Sequence, residues 1–186
     1  MGKLIYSNMM TLDGYMAGLD GSLDWAVIDE ELHRFVNQVV EPMEAFLYGR
    51  RMYELMAAFW PTAETLPSIS DAELEFARIW NAKPIYVYSR TLEKVAGNSR
   101  LERDVIPAEI KELKARAKND LGLGGANLAT TFIQLDLVDE YHLYIHPVRL
   151  GEGLPAFPAM QTKAGLRLLQ TRIFGSGVVF LRYQQV

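Results

Sequence analysis

The chain has 186 residues, 49% of them hydrophobic and 23% charged, with a mean hydropathy of zero. A domain averages roughly 150 residues, so the length indicates one domain, and the composition excludes disordered and fibrous classes. No cysteine is present, which excludes disulfides, thiolate zinc sites and cysteine nucleophiles, and three scattered histidines predict no metal site. The net charge of −4 without a basic run argues against nucleic acid and favours a small-molecule ligand.

No segment reaches the roughly 18 uncharged apolar residues of a membrane span. The N-terminus leads directly into a strand-like segment and lacks the apolar core of a signal peptide. We therefore expect no membrane partner and a cytoplasmic location.

The first half of the chain alternates strand and helix patterns. Residues 4–9 form an apolar run typical of a buried strand, and turn residues follow at 11–14. A helix is predicted from Asp29 to Pro42, because apolar residues recur at helical spacing and acidic residues occupy its first turn. A short strand at 46–48 then precedes a second helix over 52–59.

The second half continues the alternation and ends differently. A loop (62–70), a helix (71–81), a strand (84–88), a helix (108–117), a glycine-rich segment that opens a further helix (121–135) and a strand (139–146) are predicted in this order. Two β-rich runs, 166–174 and 178–183, flank Gly175-Ser176-Gly177 and predict an antiparallel hairpin. The sequence therefore predicts one α/β domain with a mixed, mainly parallel twisted sheet of about eight strands.

Three segments at predicted strand ends have residues suited to phosphate binding. In Gly122-Leu123-Gly124-Gly125-Ala126-Asn127, adjacent glycines would let backbone amides approach a diphosphate at a helix N-terminus. Gly49-Arg50-Arg51 adds two cations at another strand-to-helix junction, and Ser89-Arg90 could hold a ribose phosphate. Each has a plainer interpretation, a packing turn or solvated arginines, but all three fall on the sheet edge where open α/β sheets bind ligands.

Three further segments could supply the reacting end of a site. They are Thr11-Leu12-Asp13-Gly14, the acidic helix start Asp29-Glu30-Glu31 after Trp25, and Tyr144-Ile145-His146-Pro147. A carboxylate in an apolar cleft could bind the N–H groups of a heterocycle and assist proton delivery. Equally, Asp-Gly is a common turn and acids in a first helical turn commonly serve the helix dipole.

In their order, these segments resemble the dihydrofolate reductase superfamily, and more closely the reductase half of riboflavin-biosynthesis deaminase/reductases. The resemblance runs from Lys3 to about Tyr183 and is carried by five segments: Thr11-Leu12-Asp13-Gly14-Tyr15-Met16-Ala17, Gly49-Arg50-Arg51-Met52-Tyr53-Glu54, Ser89-Arg90, Gly124-Gly125-Ala126-Asn127-Leu128, and His146-Pro147-Val148-Arg149-Leu150-Gly151-Glu152-Gly153. It implies an NADPH-dependent reductase with a dihydrofolate-reductase-like sheet.

The resemblance also implies roles for individual residues. Cofactor phosphates would contact Gly49, Arg50, Arg51, Ser89, Arg90, Gly124, Gly125, Ala126, Asn127 and Leu128. The paired glycines would be joined by a cis peptide. The expected catalytic acids are Asp13 and one acid of the predicted helix start at 29–31. Helix phase favours Glu31 there but leaves Asp29 and Glu30 as alternatives. The expected substrate contacts are Thr11, Trp25, His146 and Glu152.

The absence of cysteine excludes the zinc deaminase half, so the expected reaction is reduction alone. A ribosylaminopyrimidine is the first substrate expected, a dihydropterin the second, and a non-catalytic nucleotide-binding module is the alternative from another class. Related proteins are commonly homodimers, and the apolar C-terminal hairpin with Ile173, Phe174, Val178, Val179 and Phe180 is the expected interface.

Overall fold

The computed structural model describes residues 1–157, 159 and 163–186. Its elements, in chain order, are β1 (Leu4–Thr11), β2 (Tyr15–Ala17), α1 (Glu30–Val40), β3 (Ala45–Gly49), α2 (Arg50–Phe59), a 3-10 helix (Trp60–Thr65), α3 (Asp71–Ala82), β4 (Ile85–Tyr88), β5 (Ser99–Glu102), α4 (Pro107–Arg116), β6 (Leu121–Gly124), α5 (Ala126–Gln134), β7 (Glu140–His146), β8 (Leu154–Pro155), β9 (Leu166–Ile173) and β10 (Val179–Gln185).

Eight strands form one sheet in the order β5-β4-β3-β6-β1-β7-β10-β9. The first six of these are mutually parallel, whereas β10 is antiparallel to both β7 and β9. The carboxyl ends of β1, β3, β4, β6 and β7 therefore lie along one edge of the sheet. The short strands β2 and β8 pair separately beside that edge. The predicted α/β class, mainly parallel sheet and terminal hairpin are confirmed.

Helices cover both faces of the sheet because successive side chains of each strand point to opposite faces. In β1, Leu4 and Tyr6 join the apolar cluster beneath α4 and α5, whereas Ile5 joins the cluster beneath α1, α2 and α3. A third cluster joins α1 to the C-terminal hairpin, where the rings of Phe35 and Phe180 lie 5.0 Å apart. The domain therefore has three layers, helix, sheet and helix.

Some elements differ from the sequence prediction. The predicted loop over 62–70 includes the end of the 3-10 helix, whose first turn contains Pro61. Proline suits that position because its fixed φ is helical and the first turn needs no donor. The edge strand β5 was not predicted, since its sequence Ser99-Arg100-Leu101-Glu102 has only one apolar residue. No helix in the described ranges combines the length and apolar character needed to cross a bilayer.

One buried carboxylate ties the central strands to the hairpin. Glu140 of β7 is fully buried, and its oxygens accept hydrogen bonds from Lys3 Nζ at 2.6 Å and from Arg182 Nε at 2.7 Å. Burial alone would raise the pKa of Glu140, but the hydrogen bonds from Arg182 and Lys3 outweigh burial and bring it to about 2. The ion pairs therefore stabilise the fold wherever this carboxylate is ionised.

Candidate active site

Two helices begin with glycine at the ligand-binding edge of the sheet. Gly49 precedes α2, Gly125 precedes α5, and neither N-terminus has a side-chain cap among the described residues. By contrast, α1 is capped by the Asp29 carboxylate, which accepts from Leu32 N at 2.8 Å, and α3 by Ser70 in a capping box. The first N–H groups of α2 and α5 are therefore left for another acceptor.

The two helices cover opposite faces of the sheet, but their N-termini lie close together at its edge because β3 and β6 are neighbours. A Cβ added to Gly49 would lie 3.4 Å from Leu128 Cβ, and one added to Gly125 would lie 4.0 Å from the Gly49 nitrogen. Aligned backbone N–H groups and the positive helix ends favour an anion here. Two adjacent N-termini suit the two phosphates of a diphosphate.

The adjacent residues Gly124 and Gly125 are both needed as glycines, the first because a side chain has no room and the second because of its backbone conformation. A Cβ added to Gly124 would lie 3.0 Å from the ring of Tyr48, and Gly125 has a φ of +95°, where other residues are strained. The peptide bonds of the described residues, including the one between these glycines, are all trans, so the expected cis bond is not present. Of the following residues, Ala126 is buried, Asn127 is exposed and Leu128 packs against the core beneath α4 and α5.

Arg50 and Arg51 occupy the first turn of α2 and are both exposed. Arg50 Nε donates to Glu54 at 2.8 Å, and Arg50 Nη1 donates to the Thr91 hydroxyl at 2.9 Å. Arg50 therefore links α2 to the loop after β4, and both guanidiniums add positive charge to the end of a helix that already favours anions.

The third predicted segment lies on the next strand end along the sheet. The Ser89 hydroxyl accepts from Thr91 N at 3.2 Å and from Leu92 N at 3.1 Å, which closes a tight turn. Arg90 is exposed, and its Nε donates to Asp104 at 2.9 Å. Arg103, which sequence reasoning missed, donates to the Ser89 carbonyl at 3.0 Å. It follows the unpredicted strand β5, so no recognised sequence signal pointed to it.

A large cavity adjoins the glycine pair on the face of the sheet covered by α1, α2 and α3. Its volume is about 740 Å³, and both Gly124 and Gly125 line it. Most of the remaining wall is apolar and consists of methionine and aromatic side chains, among them Met9, Met52, Met56, Trp60 and Phe76. A ligand bound at the helix N-termini could therefore extend into a largely apolar chamber.

The described polar wall of this cavity includes Asp29, Glu30, His33 and Glu73. Arg34 Nε donates to Glu30 at 2.9 Å, and burial lowers the pKa of His33. Two acids of the helix start thus line the same cavity as the glycine pair, whereas Asp13, which the reductase hypothesis also expected there, is not among the described lining residues.

Glu31, the acid that helix phase favoured, lies on another side of α1 and outside the described cavity wall. Its carboxylate accepts from Gly175 N and from Arg172 Nη2, each at 3.0 Å, and so binds the helix to the hairpin. The bond from Gly175, followed by that from Arg172, lowers the pKa of Glu31. Glu31 is therefore an ionised anchor for the hairpin.

Asp13 also lies outside the described cavity wall. Its carboxylate accepts from the Thr11 hydroxyl at 2.6 Å, from Gly151 N at 2.7 Å and from Leu150 N at 3.2 Å. The bond from Thr11 is the main cause of a lowered pKa. Thr11 is buried, and its hydroxyl accepts from Tyr15 N. Together these residues fix the turn after β1 to the loop before β8.

Of the expected substrate contacts, Trp25 lines the cavity, and its ring meets the ring of His146 edge to face with centroids 5.2 Å apart. His146 is 1% exposed, burial lowers its pKa, and its ring nitrogens have no hydrogen-bond partner in the described part of the chain. Glu152 is exposed in the loop before β8. The structure therefore brings Trp25 and His146 together and leaves Glu152 outside.

Comparison with known proteins identifies both a family model and a relative that match almost the whole chain. Residues 2–180 match the family model described as the RibD C-terminal domain. The chain is 38% identical over 184 residues to the uncharacterized protein YyaP of Bacillus subtilis (strain 168), covering 97% of this chain and 94% of that one.

Solved structures show a similar fold. A protein assigned to riboflavin biosynthesis from Shewanella sp. PV-4 has a TM-score of 0.76 at 22% identity, with 99% of each chain covered. Dihydrofolate reductase from Enterococcus faecalis complexed with NADP(H) has a TM-score of 0.65 at 16% identity, with 99% of this chain and 96% of that one covered.

Proposed function

Because the chain belongs to the RibD C-terminal domain family, we propose that it is an NADPH-dependent reductase that transfers a hydride to a small heterocycle. The observation that carries the proposal is the junction between the two glycine-started helices and the apolar cavity. The N-termini of α2 and α5 suit the diphosphate of a dinucleotide, and the apolar cavity gives a substrate a water-poor chamber beside that diphosphate.

The proposed cofactor site follows the sheet edge. Backbone N–H groups after Gly49 and in the segment from Gly125 to Leu128 would hold the diphosphate, and Arg50 and Arg51 would neutralise its charge. Ser89 and Arg90, on the neighbouring strand end, would hold the ribose phosphate that distinguishes NADPH from NADH. When bound, NADPH supplies the hydride.

The chain's own contribution to the reaction is orientation and exclusion of water. Trp25, Trp60 and the methionine side chains would enclose the substrate, and Asp29 or Glu30 could accept hydrogen bonds from the N–H groups of its ring. The acids that line the same cavity as the glycine pair favour an enzyme over the non-catalytic binding module. They are also compatible with a dihydropterin, the second substrate expected from the sequence.

Fluorescence titration with NADPH and, separately, NADH tests the proposal. Trp25 and Trp60 line the cavity, so a nicotinamide there should quench tryptophan emission. We expect tight NADPH binding, weaker NADH binding, and a loss of roughly 10-fold to 100-fold in NADPH affinity in Arg50→Ala/Arg51→Ala, since bonds from charged groups are removed. Arg78→Ala/Arg116→Ala, which changes two exposed arginines on α3 and α4, is the matched control. Absence of NADPH binding would refute the reductase.

We also propose that two copies of the chain associate through the C-terminal hairpin. Only some of the hairpin residues that the sequence analysis expected at this interface are exposed. Phe174, Val178 and Phe180 are buried in the cluster shared with α1, whereas Ile173 and Leu168 of β9 are 77% and 47% exposed. β9 is the edge strand, and a second copy is its self-complementary partner. Light scattering should give a dimer for the wild type and a monomer for Ile173→Lys; a wild-type monomer would refute this assembly.

A further inference from the structure

The charge of the cavity wall limits the substrates it can accept. The residues of the described wall include Asp29, Glu30 and Glu73 but neither lysine nor arginine, and the exposed carboxylate of Glu30 is ion-paired with Arg34 outside the wall. The residues that the structure does not describe are Pro158, Met160, Gln161 and Thr162, and none of these residue types carries a positive charge. Apart from Arg34, whose charge is balanced by Glu30, the titratable group of the described wall that could become positive is His33.

His33 does not supply that charge at neutral pH. Burial lowers the pKa of its ring, and this effect outweighs the opposing influence of Glu73 and Glu75. Glu73 itself accepts hydrogen bonds from Ser70 N at 2.8 Å and from the Ser70 hydroxyl at 2.7 Å, which keeps its pKa low and its carboxylate ionised. At neutral pH the wall is thus net negative.

A substrate phosphate would meet an unfavourable environment here. Proteins bind phosphate through arginine, lysine or several convergent backbone N–H groups, because removing its charge from water is costly without compensation. The N–H groups that meet this need, at the starts of α2 and α5, are those assigned to the cofactor. The rest of the cavity combines apolar side chains with acids, which attract cations and repel anions.

We propose that this cavity binds a largely apolar heterocycle that carries no phosphate and is neutral or positively charged. The inference rests on the proposed function and narrows its substrate, since it excludes the phosphorylated ribosylaminopyrimidine that the family resemblance suggests first. The methionine side chains fit such a ligand, because they adapt to apolar rings of varied shape.

Two fluorescent dyes with the same ring system test the charge preference directly. N-phenyl-1-naphthylamine is neutral, whereas 8-anilino-1-naphthalenesulfonate adds one negative charge. We expect the neutral dye to bind at least about 10-fold more tightly, because Asp29 and Glu73 give the wall negative charge that none of its described residues balances. Equal affinities, tighter binding of the sulfonate, or no binding of either dye would overturn the proposal.

A triple variant, Asp29→Asn/Glu30→Gln/Glu73→Gln, locates the effect. Asparagine remains a good helix cap, glutamine remains compatible with a capping box, and Glu30 loses only an exposed ion pair, so the variant should fold. Sulfonate affinity should rise about 10-fold, while that of the neutral dye should change less than about twofold. A dye bound on another surface would not respond in this way, and such a result would overturn the assignment.

The control variant, Glu93→Gln/Glu109→Gln/Glu112→Gln, makes the same change in net charge on exposed residues outside the described cavity wall. An equal response in this control would show that net charge alone is responsible and would also overturn the proposal. NADPH titration separates the two hypotheses. If NADPH binds but neither dye is preferred, the reductase proposal is retained and the proposal of an unphosphorylated substrate is rejected. If the neutral dye is preferred but NADPH does not bind, the substrate proposal is retained and the reductase proposal is rejected.

Discussion

Replacing Gly49 by aspartate should stabilise the fold and at the same time weaken the proposed cofactor binding. Gly49 has φ −74° and ψ 165°, close to the φ −76° and ψ 171° of Asp29, which caps α1. An added Cβ would lie 3.4 Å from Leu128 Cβ, an ordinary contact. The new carboxylate can therefore accept from the first N–H groups of α2. Its cap and its favourable interaction with the helix dipole should contribute about 0.5–1 kcal/mol of stability.

The same carboxylate would occupy the place assigned to a cofactor phosphate. With one negative charge on each group, a separation of about 5 Å and an effective dielectric constant of about 20, the repulsion is roughly 3 kcal/mol. That energy corresponds to a rise of about 150-fold in the NADPH dissociation constant. Greater stability and weaker binding are thus expected from one substitution, since the helix N-terminus would be satisfied by its own side chain.

Urea unfolding and NADPH fluorescence titration of the same preparations measure both effects. Gly49→Asn is the matched control, because it caps the helix with nearly the same shape and no charge. We expect it to gain only the few tenths of a kcal/mol that the cap contributes, while losing far less affinity than Gly49→Asp. If the two variants bind NADPH equally well, or if Gly49→Asp binds as tightly as the wild type, no phosphate lies at this helix and the proposed cofactor site is wrong.

Three further outcomes are expected. Arg90→Ala should weaken NADPH binding about 10-fold by loss of a charged hydrogen bond and leave NADH binding unchanged in the same titration; equal losses would remove Arg90 from the ribose-phosphate site. Because the pKa of Glu140 falls from 4.5 to about 2 on folding, its ion pairs stabilise the protein above pH 4.5 and are lost as the pH falls toward 2. Lys3 and Arg182 are partly exposed, so solvent screening reduces the stability that these ion pairs contribute to about 1–3 kcal/mol. Glu140→Gln should lose that stability at pH 7, and its free energy of unfolding in urea should fall less steeply as the pH is lowered. An unchanged pH dependence in Glu140→Gln would contradict the assignment of acid sensitivity to Glu140. Phe132→Ala should cost about 3–5 kcal/mol in urea unfolding because the side chain is fully buried beneath the sheet; a loss below about 1 kcal/mol would contradict its place in the core.

The architecture of the sheet, and the edge at which a cofactor is proposed to bind, could be predicted from local patterns. Apolar runs separated by helical periodicities identify parallel strands, and parallel strands place their carboxyl ends on one edge. Gly49 and Gly125 follow strands of this kind, so their proximity is a consequence of topology and does not depend on any side chain. The same reasoning missed β5, whose pairing with β4 comes from tertiary context and not from an apolar pattern.

The hairpin illustrates a second limit. Two β-rich runs around a glycine turn predict the hairpin, but the sequence does not state which face of a terminal hairpin meets a helix. The residues Phe174 and Phe180 pack against α1, while Ile173 faces solvent. A period of two assigns residues to two faces and leaves open which face is covered, because that depends on where a distant helix lies.

The reacting end of the site was harder to predict than the cofactor end for a related reason. On a helix, one residue turns the side chain by about 100°, so neighbouring acids at a helix start face different surroundings. Asp29 and Glu30 line the cavity, whereas Glu31 binds Arg172 and the hairpin backbone. Cofactor recognition depends mainly on backbone at strand ends and is set by the fold, but substrate recognition depends on side-chain direction and charge. The family resemblance therefore carries more weight for the nicotinamide cofactor than for a phosphorylated substrate, which the acidic, cation-free wall described here disfavours.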